Sequence, residues 1–294
     1  MKDYLIVTPC KNEENNIMYL WESIINQTIQ PKMWIVVDDG STDSTPILLK
    51  TLASKHDWIH VNVLKNEKRD LGLHYANVVN HGFNYAQNIS KETETLCDYF
   101  CLIDADMILS TDFFEKIFGK FEISSNLGIA SGSVIYKKGK KIVLEDGRDN
   151  LPIGGLRVWR RECFLATGGF PISYSADSVS NVLAILHGWD IEKFEDIEGF
   201  QTRETSSAEG LWNGFETRGK SDYYRDYHPA YVILKFFKYT LKFPFYLGIP
   251  YLCGYINGIF KIKSKIEITE VRNYYRNKHK EIIDYYGRKF KLNQ

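Results

Sequence analysis

Cys97-Asp98-Tyr99-Phe100-Cys101-Leu102-Ile103-Asp104-Ala105-Asp106-Met107 is an apolar run that ends on two carboxylates. A run of this length bounded by polar residues suits a strand buried on both faces of a sheet. Strand residues i and i+2 share a face, so Asp104 and Asp106 can point together into one cleft. Two hard anionic donors so placed suit Mg²⁺ or Mn²⁺, ions that take oxygen ligands and keep room for substrate phosphates. The plainer reading is that the pair caps and solvates a turn before the next helix. The surrounding pattern decides between them.

Upstream, apolar strand-like runs alternate with helix-spaced segments. Tyr4 to Val7 reads as a first strand broken by Thr8-Pro9, and Ile17, Leu20, Trp21, Ile24 and Ile25 recur at helical spacing. Trp34 to Val37 is a second strand, and it too ends on carboxylates, Asp38-Asp39. Ser41 or Asp43 would cap the helix that carries Leu48, Leu49 and Leu52. Val61 to Leu64, Leu73 to Ala86, Tyr99 to Ile103 and Phe113 to Phe121 continue the alternation. The expectation is a parallel sheet with helices on both faces. Ligands of such sheets bind outside the carboxyl ends of the strands, where Thr8-Pro9, Asp38-Asp39 and Asp104-Ala105-Asp106 converge.

Neither Gly-x-Gly-x-x-Gly after the first strand nor a Gly-x-x-x-x-Gly-Lys phosphate loop is present. A nucleotide diphosphate would then need a metal for its charge. With 37 basic and 37 acidic residues the formal net charge is zero, which argues against a nucleic-acid binder. Five cysteines without a second pair or histidine partners argue against a zinc site and for a reducing compartment. The N-terminal run is too short for a signal h-region, so the expectation is a cytoplasmic protein.

From Gly128 the pattern changes. Gly128 to Tyr136 alternates as a strand, and Lys137 to Asp149 is polar, as in a hairpin or loop. Leu156 to Arg161 reads as a strand ending in a basic pair, followed by a helix that stops at Gly168-Gly169-Phe170. Ser175-Ala176-Asp177-Ser178 opens a helix that Gly188 ends. An acidic residue in a first helical turn gains ~0.3–1 kcal/mol from the helix dipole, so capping alone would account for Asp177.

With these pieces placed, the chain resembles the inverting, nucleotide-sugar-dependent glycosyltransferases of family 2, with the GT-A fold. Four motifs carry the resemblance over about residues 3 to 195: Thr8-Pro9 with Asn12-Glu13; Val36 to Asp43; Asp104-Ala105-Asp106; and Gly168-Gly169-Phe170 followed by Asp177 and Gly188-Trp189. The resemblance implies that Thr8, Pro9, Asn12, Asp38 and Asp39 bind the nucleotide. It implies Asp104 near ribose and metal, Asp106 on a Mn²⁺ or Mg²⁺ ion, and Asp177 as the general base of an inverting displacement. Arg69 falls where such enzymes often put a basic nucleotide contact, with a solvated surface arginine as the alternative. His228 is a further candidate metal ligand, against a plain loop histidine. Two departures stand out. Ala176 occupies the Glu position of the family's Glu-Asp pair, and Gln201-Thr202-Arg203-Glu204-Thr205 lacks the Trp of a processive synthase.

Ala230 to Phe260 is the most aromatic part of the chain, and Lys235, Lys238 and Lys242 recur at helical spacing. That pattern suits an interfacial helix. Phe243 to Phe260 is an uncharged run of 18 residues broken by prolines and glycines, better suited to shallow attachment than to a span. Packing on the catalytic domain or on a second subunit, as in a homo-oligomer, is the alternative. The basic, Tyr-rich tail from Lys261 to Gln294 would lie along an anionic leaflet.

The reading is thus a GT-A catalytic domain over 1–228, with a nucleotide-binding half (1–125) and an acceptor half (126–228), followed by a helical segment at 229–294 on the cytoplasmic face of a membrane. It would move one sugar of the hexose type from a UDP- or GDP-sugar donor to a lipid-linked or glycan acceptor. A nucleotidyltransferase and a non-catalytic sugar-nucleotide-binding module are the competing classes.

Overall fold

The computed structural model describes residues 2–65, 73–138, 141–144, 150–202, 210–241, 243–262 and 264–291. Two compact units divide the chain, Met1–Glu204 and Thr205–Gln294. The expected boundary at 228 therefore falls inside the second unit.

The first unit runs β1 (Tyr4–Cys10), α1 (Ile17–Ile25), β2 (Met33–Asp38), α2 (Thr45–Lys55), β3 (Ile59–Val63), α3 (Leu73–Glu92), β4 (Tyr99–Ile103), β5 (Met107–Leu109), α4 (Phe113–Ile123), β6 (Leu127–Lys138), β7 (Lys141–Leu144), β8 (Leu156–Arg160), α5 (Arg161–Ala166), α6 (Ala176–Leu186) and β9 (Asp190–Gln201). These strands form one mixed sheet in the order β3-β2-β1-β4-β8-β6-β9-β5, with β7 paired to β6. The β3-β2-β1-β4 half is parallel throughout, as the alternation of strands and helices requires. Beyond β4 the sheet turns antiparallel at β8, with β6 and β9 again parallel to each other.

Strands β1, β2 and β4 are apolar on both faces because both faces are covered. Tyr4, Ile6, Trp34, Val36, Cys101 and Ile103 point into one core with the inner faces of α1, α2 and α4. Their alternates Leu5, Val7, Ile35, Val37, Phe100 and Leu102 point into the other, against α3, α5 and α6. This period-2 division is what continuous Val/Ile/Leu runs encode in a doubly covered sheet. Helix α3 approaches the sheet closely at Gly82, where a methyl group would overlap the side chains of Val7 and Val37.

Strand β9 is hidden in the sequence. Ile191, Phe194, Ile197 and Phe200 recur every third residue, a spacing foreign to a regular strand. The cause is an irregularity in its pairing with β6. Gly132 is opposite Phe194 but Ser133 is opposite Glu198, so three residues bulge out and the register resets.

The second unit contains α7 (Gly210–Tyr224), α8 (Pro229–Thr240), α9 (Gly248–Lys261) and α10 (Thr269–Lys291). Helices α7 and α9 cross on glycines: a side chain at Gly219 or Gly254 would strike the partner's backbone at Tyr251 or Glu216. Buried Asp222 accepts from Arg225 Nη2 at 2.8 Å, Lys235 Nζ at 2.7 Å and the Tyr251 hydroxyl at 2.7 Å. Lys235 is thus turned inward, a correction to its place on an outward basic face. A buried carboxylate needs an ion-pair partner, and that demand outweighs the solvation of one lysine. Val271 and Tyr275 of α10 are likewise buried. Among the described residues no helix is long and apolar enough to cross a membrane.

Candidate active site

The carboxyl ends of β1, β2 and β4 lie along one edge of the sheet because the three strands are parallel and adjacent. Cys10 pairs with Asp38, and the Asp39 N–H donates to Cys10 O at 2.8 Å, which ties the two strand ends together. Asn12, held at φ 56°, accepts from the Thr42 N–H at 2.8 Å, and its own N–H donates to Ser41 Oγ at 2.9 Å. Asn12 is therefore the clasp between the loops after β1 and β2. Thr8 is fully buried and accepts from Trp34 Nε1 at 2.9 Å. Asp38 is also fully buried; its Oδ1 accepts from the Ser41 N–H at 2.9 Å, while Oδ2 has no hydrogen-bond partner.

Asp39 has a divided carboxylate. Its Oδ2 meets Lys11 Nζ at 3.1 Å and His74 Nε2 at 2.8 Å. Its Oδ1 is buried with no hydrogen-bond partner. An unsatisfied buried carboxylate oxygen beside a loop cluster is costly and suits a donor supplied by a ligand.

The next residue of α3, Tyr75, reaches the second carboxylate group, its hydroxyl donating to Asp104 Oδ1 at 2.8 Å. One helical turn thus touches Asp39 through His74 and Asp104 through Tyr75. Burial pushes the Tyr75 hydroxyl pKa well above its usual value, with Asp104, then Asp177 and Asp106, adding to the rise. Carboxylates from two separate parts of the sequence, the Asp104–Asp106 turn and Asp177, therefore raise the pKa of one phenol. Asp104 and Asp106 lie in the turn between β4 and β5, closed by the Met107 N–H on Asp104 O at 3.2 Å. The end of β9 holds Asp106: Gln201 Nε2 donates to its Oδ2 at 3.1 Å, and the Thr202 N–H to its carbonyl at 2.9 Å.

Asp177 sits in the first turn of α6, after Ser175 at φ 52°. The segment before β8 joins it to Asp104. The Asp104 N–H donates to Gly155 O at 3.0 Å, a methyl at Gly155 would collide with the Asp104 carboxylate, and the adjacent Gly154 faces Asp177 Cβ. Fully buried Arg157 fixes this segment, donating to Ile153 O, to Pro152 O at 2.9 Å and to Asp177 O at 3.1 Å. Burial pushes its guanidinium pKa down to about 10, against the opposing charge of Asp177, and its cationic centre lies 5.2 Å from the Trp159 ring. Asn181 Nδ2 adds a bond to Pro152 O at 3.2 Å.

Thr8, Pro9, Asn12, Asp38, Asp39, Asp104, Asp106 and Asp177 all belong to the first unit. His228 belongs to the second, where it caps α8 by accepting from the Ala230 N–H, with its ring 4.2 Å from that of His279. Arg69 and Arg203 lie outside the described residues. Lys11, His74, Tyr75, Arg157 and Gln201 complete the constellation without a motif of their own. The only hint for His74 and Tyr75 was position, at the start of the helix whose inner face packs on β1 and β2.

Comparison with known proteins agrees with this architecture. The family model for glycosyl transferase family 2 matches residues 5–168, more than half of the 294 residues. The chain belongs to that family. Over 124 residues it is 26% identical to poly-beta-1,6-N-acetyl-D-glucosamine synthase of Staphylococcus aureus (strain MSSA476), covering 42% of this chain and 26% of that protein. Over 141 residues it is 28% identical to the minor teichoic acid biosynthesis protein GgaB of Bacillus subtilis (strain 168), covering 47% of this chain and 14% of that protein. The matches thus span 26% and 14% of these relatives' own lengths. Among solved structures, S. aureus TarS 1–349 in complex with UDP-GlcNAc aligns with a TM-score of 0.54 at 16% identity, covering 76% of this chain and 66% of that one. The mannosyltransferase PcManGT from Pyrobaculum calidifontis, in complex with GDP-Man and Mn²⁺, aligns at 0.53 and 18%, covering 86% and 69%. At such identities the likeness defines the fold, a GT-A-type α/β sheet.

Proposed function

We propose that the chain is a glycosyltransferase that moves one hexose-type sugar from a UDP- or GDP-sugar to a lipid-linked or glycan acceptor, with inversion and a divalent ion. The observation that carries the reading is the chain of contacts that joins Tyr75 to Asp104 and, through Gly155 and Gly154, to Asp177, next to the Asp39 carboxylate. Asp39 Oδ1 accepts an N–H of the base, which relieves its unsatisfied state. Asp38 and Thr8 shape the loops beneath, and Asn12 and Pro9 border the nucleotide.

The residues fit a divalent ion. Among the described residues no group of three His, Cys, Asp or Glu side chains could hold a metal alone. Two carboxylates, Asp104 and Asp106, share one turn, and Mg²⁺ or Mn²⁺ commonly takes one or two carboxylates plus substrate phosphates. When bound, the ion would neutralise charge building on the leaving diphosphate. Gln201 and Tyr75 each hold one oxygen of this pair and fix its aim. Asp177 accepts the proton of the acceptor hydroxyl as that oxygen attacks the anomeric carbon from the face opposite the departing diphosphate. Arg157, by gripping the Asp177 carbonyl, fixes the start of α6. Arg69 is the candidate basic contact for the nucleotide. The relatives named for poly-beta-1,6-N-acetyl-D-glucosamine and minor teichoic acid synthesis favour a glycan-polymer acceptor. The proposed place of action is the cytoplasmic face of a membrane.

Thermal unfolding with UDP or GDP in Mn²⁺ or Mg²⁺ tests the donor half. One nucleotide raises the melting temperature, and Asp106→Ala removes the rise. A panel of nucleotide sugars then identifies the donor by nucleotide release. A protein that no metal–nucleotide pair stabilises, and that hydrolyses no donor, ends the reading.

A further inference from the structure

The second unit carries more exposed apolar side chain than a helical body needs for its own packing. On α8 and its C-cap residue Leu241, the side chains of Ile233, Leu234, Phe237 and Leu241 are all at least half exposed. They recur at i, i+1, i+4 and i+8, one stripe of the helix. On α9, Ile249, Cys253, Ile256 and Phe260 are exposed at i, i+4, i+7 and i+11, again one stripe. The opposite face of α9, with Tyr251, Gly254 and Gly258, is buried. Between the helices, Phe243 and Phe245 are 79% and 61% exposed. An apolar surface of this extent marks an interaction site.

Charge selects the occupant. Residues 227–266 hold six lysines and no Asp or Glu. Lys235 and Lys265 are turned inward onto Asp222 and Asp226. Lys238 and Lys261 are exposed, each next in sequence to an exposed phenylalanine of a stripe, Phe237 and Phe260. A second copy would set lysine against lysine. An anionic bilayer complements both features, since aromatic and aliphatic groups enter the acyl boundary while lysines stay at the headgroups. With no helix able to cross among the described residues, the helices would lie in the plane of the membrane.

We propose that α8, α9 and their connection form a shallow insertion surface for anionic lipid. This deepens the membrane-side reading of function, and its test does not depend on glycosyl transfer. Cys253 is exposed while the other four cysteines are buried, so the full-length protein can be labelled there with an environment-sensitive fluorophore. Phosphatidylglycerol-containing vesicles should blue-shift the label and let spin-labelled lipid quench it, whereas pure phosphatidylcholine should do so weakly. Phe243→Asp with Phe245→Asp should lower partition about tenfold or more. Lys238→Glu and Lys261→Glu should each lower it about fivefold, and added salt should mimic them. Melting shifts with metal and UDP or GDP, measured on the same samples, report the catalytic reading separately. A label indifferent to both vesicle types overturns the proposal. So does a lipid-free dimer, seen by sedimentation, that hides the label.

Discussion

Tyr75→Phe removes one oxygen from the site and leaves the ring to pack as before against the core beneath α3. The lost bond is the 2.8 Å donation to Asp104 Oδ1. A hydrogen bond to a charged group is worth about 1.5–3 kcal/mol. If Tyr75 aims Asp104 at the metal and ribose, the loss appears in the transition state as an about 10- to 150-fold fall in kcat/KM. Asp104 is only half-buried, so water can replace the phenol in the resting protein. The melting temperature should then fall by under about 3 °C, against about 2–4 °C per kcal/mol for a body of this size if the whole bond energy were a stability term. The assay is nucleotide release from the preferred donor across a Mn²⁺ titration, beside thermal unfolding of the same samples. Half-maximal activation should move to higher Mn²⁺. A kcat/KM within twofold of wild type, while Asp104→Asn is inactive, refutes the positioning role.

Gly155→Ala should be worse for catalysis than for folding, because its methyl meets the Asp104 carboxylate rather than the core; activity falls at least about tenfold with under about 2 kcal/mol lost in denaturant unfolding. Gly82→Ala should lower stability by about 1–2 kcal/mol despite the better helix propensity of alanine, since the methyl overlaps Val7 and stands 2.8 Å from Val37 Cγ2. By lifting α3 it should also weaken nucleotide-dependent stabilisation, measured by the melting shift. In the second unit burial pushes the Asp222 carboxyl up, but Lys235 and Arg225 overcome it and the net pKa lies below the ordinary 3.8. A depressed pKa contributes stability that is present above 3.8 and lost as pH falls through the lower folded value. Asp222→Asn should therefore destabilise the second unit by about 3–5 kcal/mol near neutral pH, by stranding Lys235 and Arg225. The gap to wild type should close only below that range in calorimetry, and a gap constant down to strong acid would contradict it.

The parallel half of the sheet was legible because each strand is a short apolar run covered on both faces, a constraint that sequence states residue by residue. Tyr99 to Ile103 matches β4 residue for residue, and Leu156 starts β8 as expected. The charged, three-spaced stretch from Asp190 to Gln201 did not announce a strand, since a bulge against β6 breaks the alternation that would reveal one. The aspartates were legible as a pattern because they stand at strand ends, and parallel strands bring such ends to one edge.

Their supporting groups were decided by tertiary structure alone. Nothing in His74-Tyr75 tells a reader that one side chain reaches Asp39 and its neighbour Asp104, because that follows from how α3 docks across Gly82. Arg157 looks like any strand arginine until three carbonyls are found around it. Lys235 read as a surface lysine and is an internal counter-ion, since pairing with a buried carboxylate depends on which helices meet. Sequence determined what each segment could bury and where its polar ends would emerge. Packing decided which of those ends would neutralise, aim or unburden one another, because hydrogen bonds and ion pairs act over a few ångströms that only the fold can bring together.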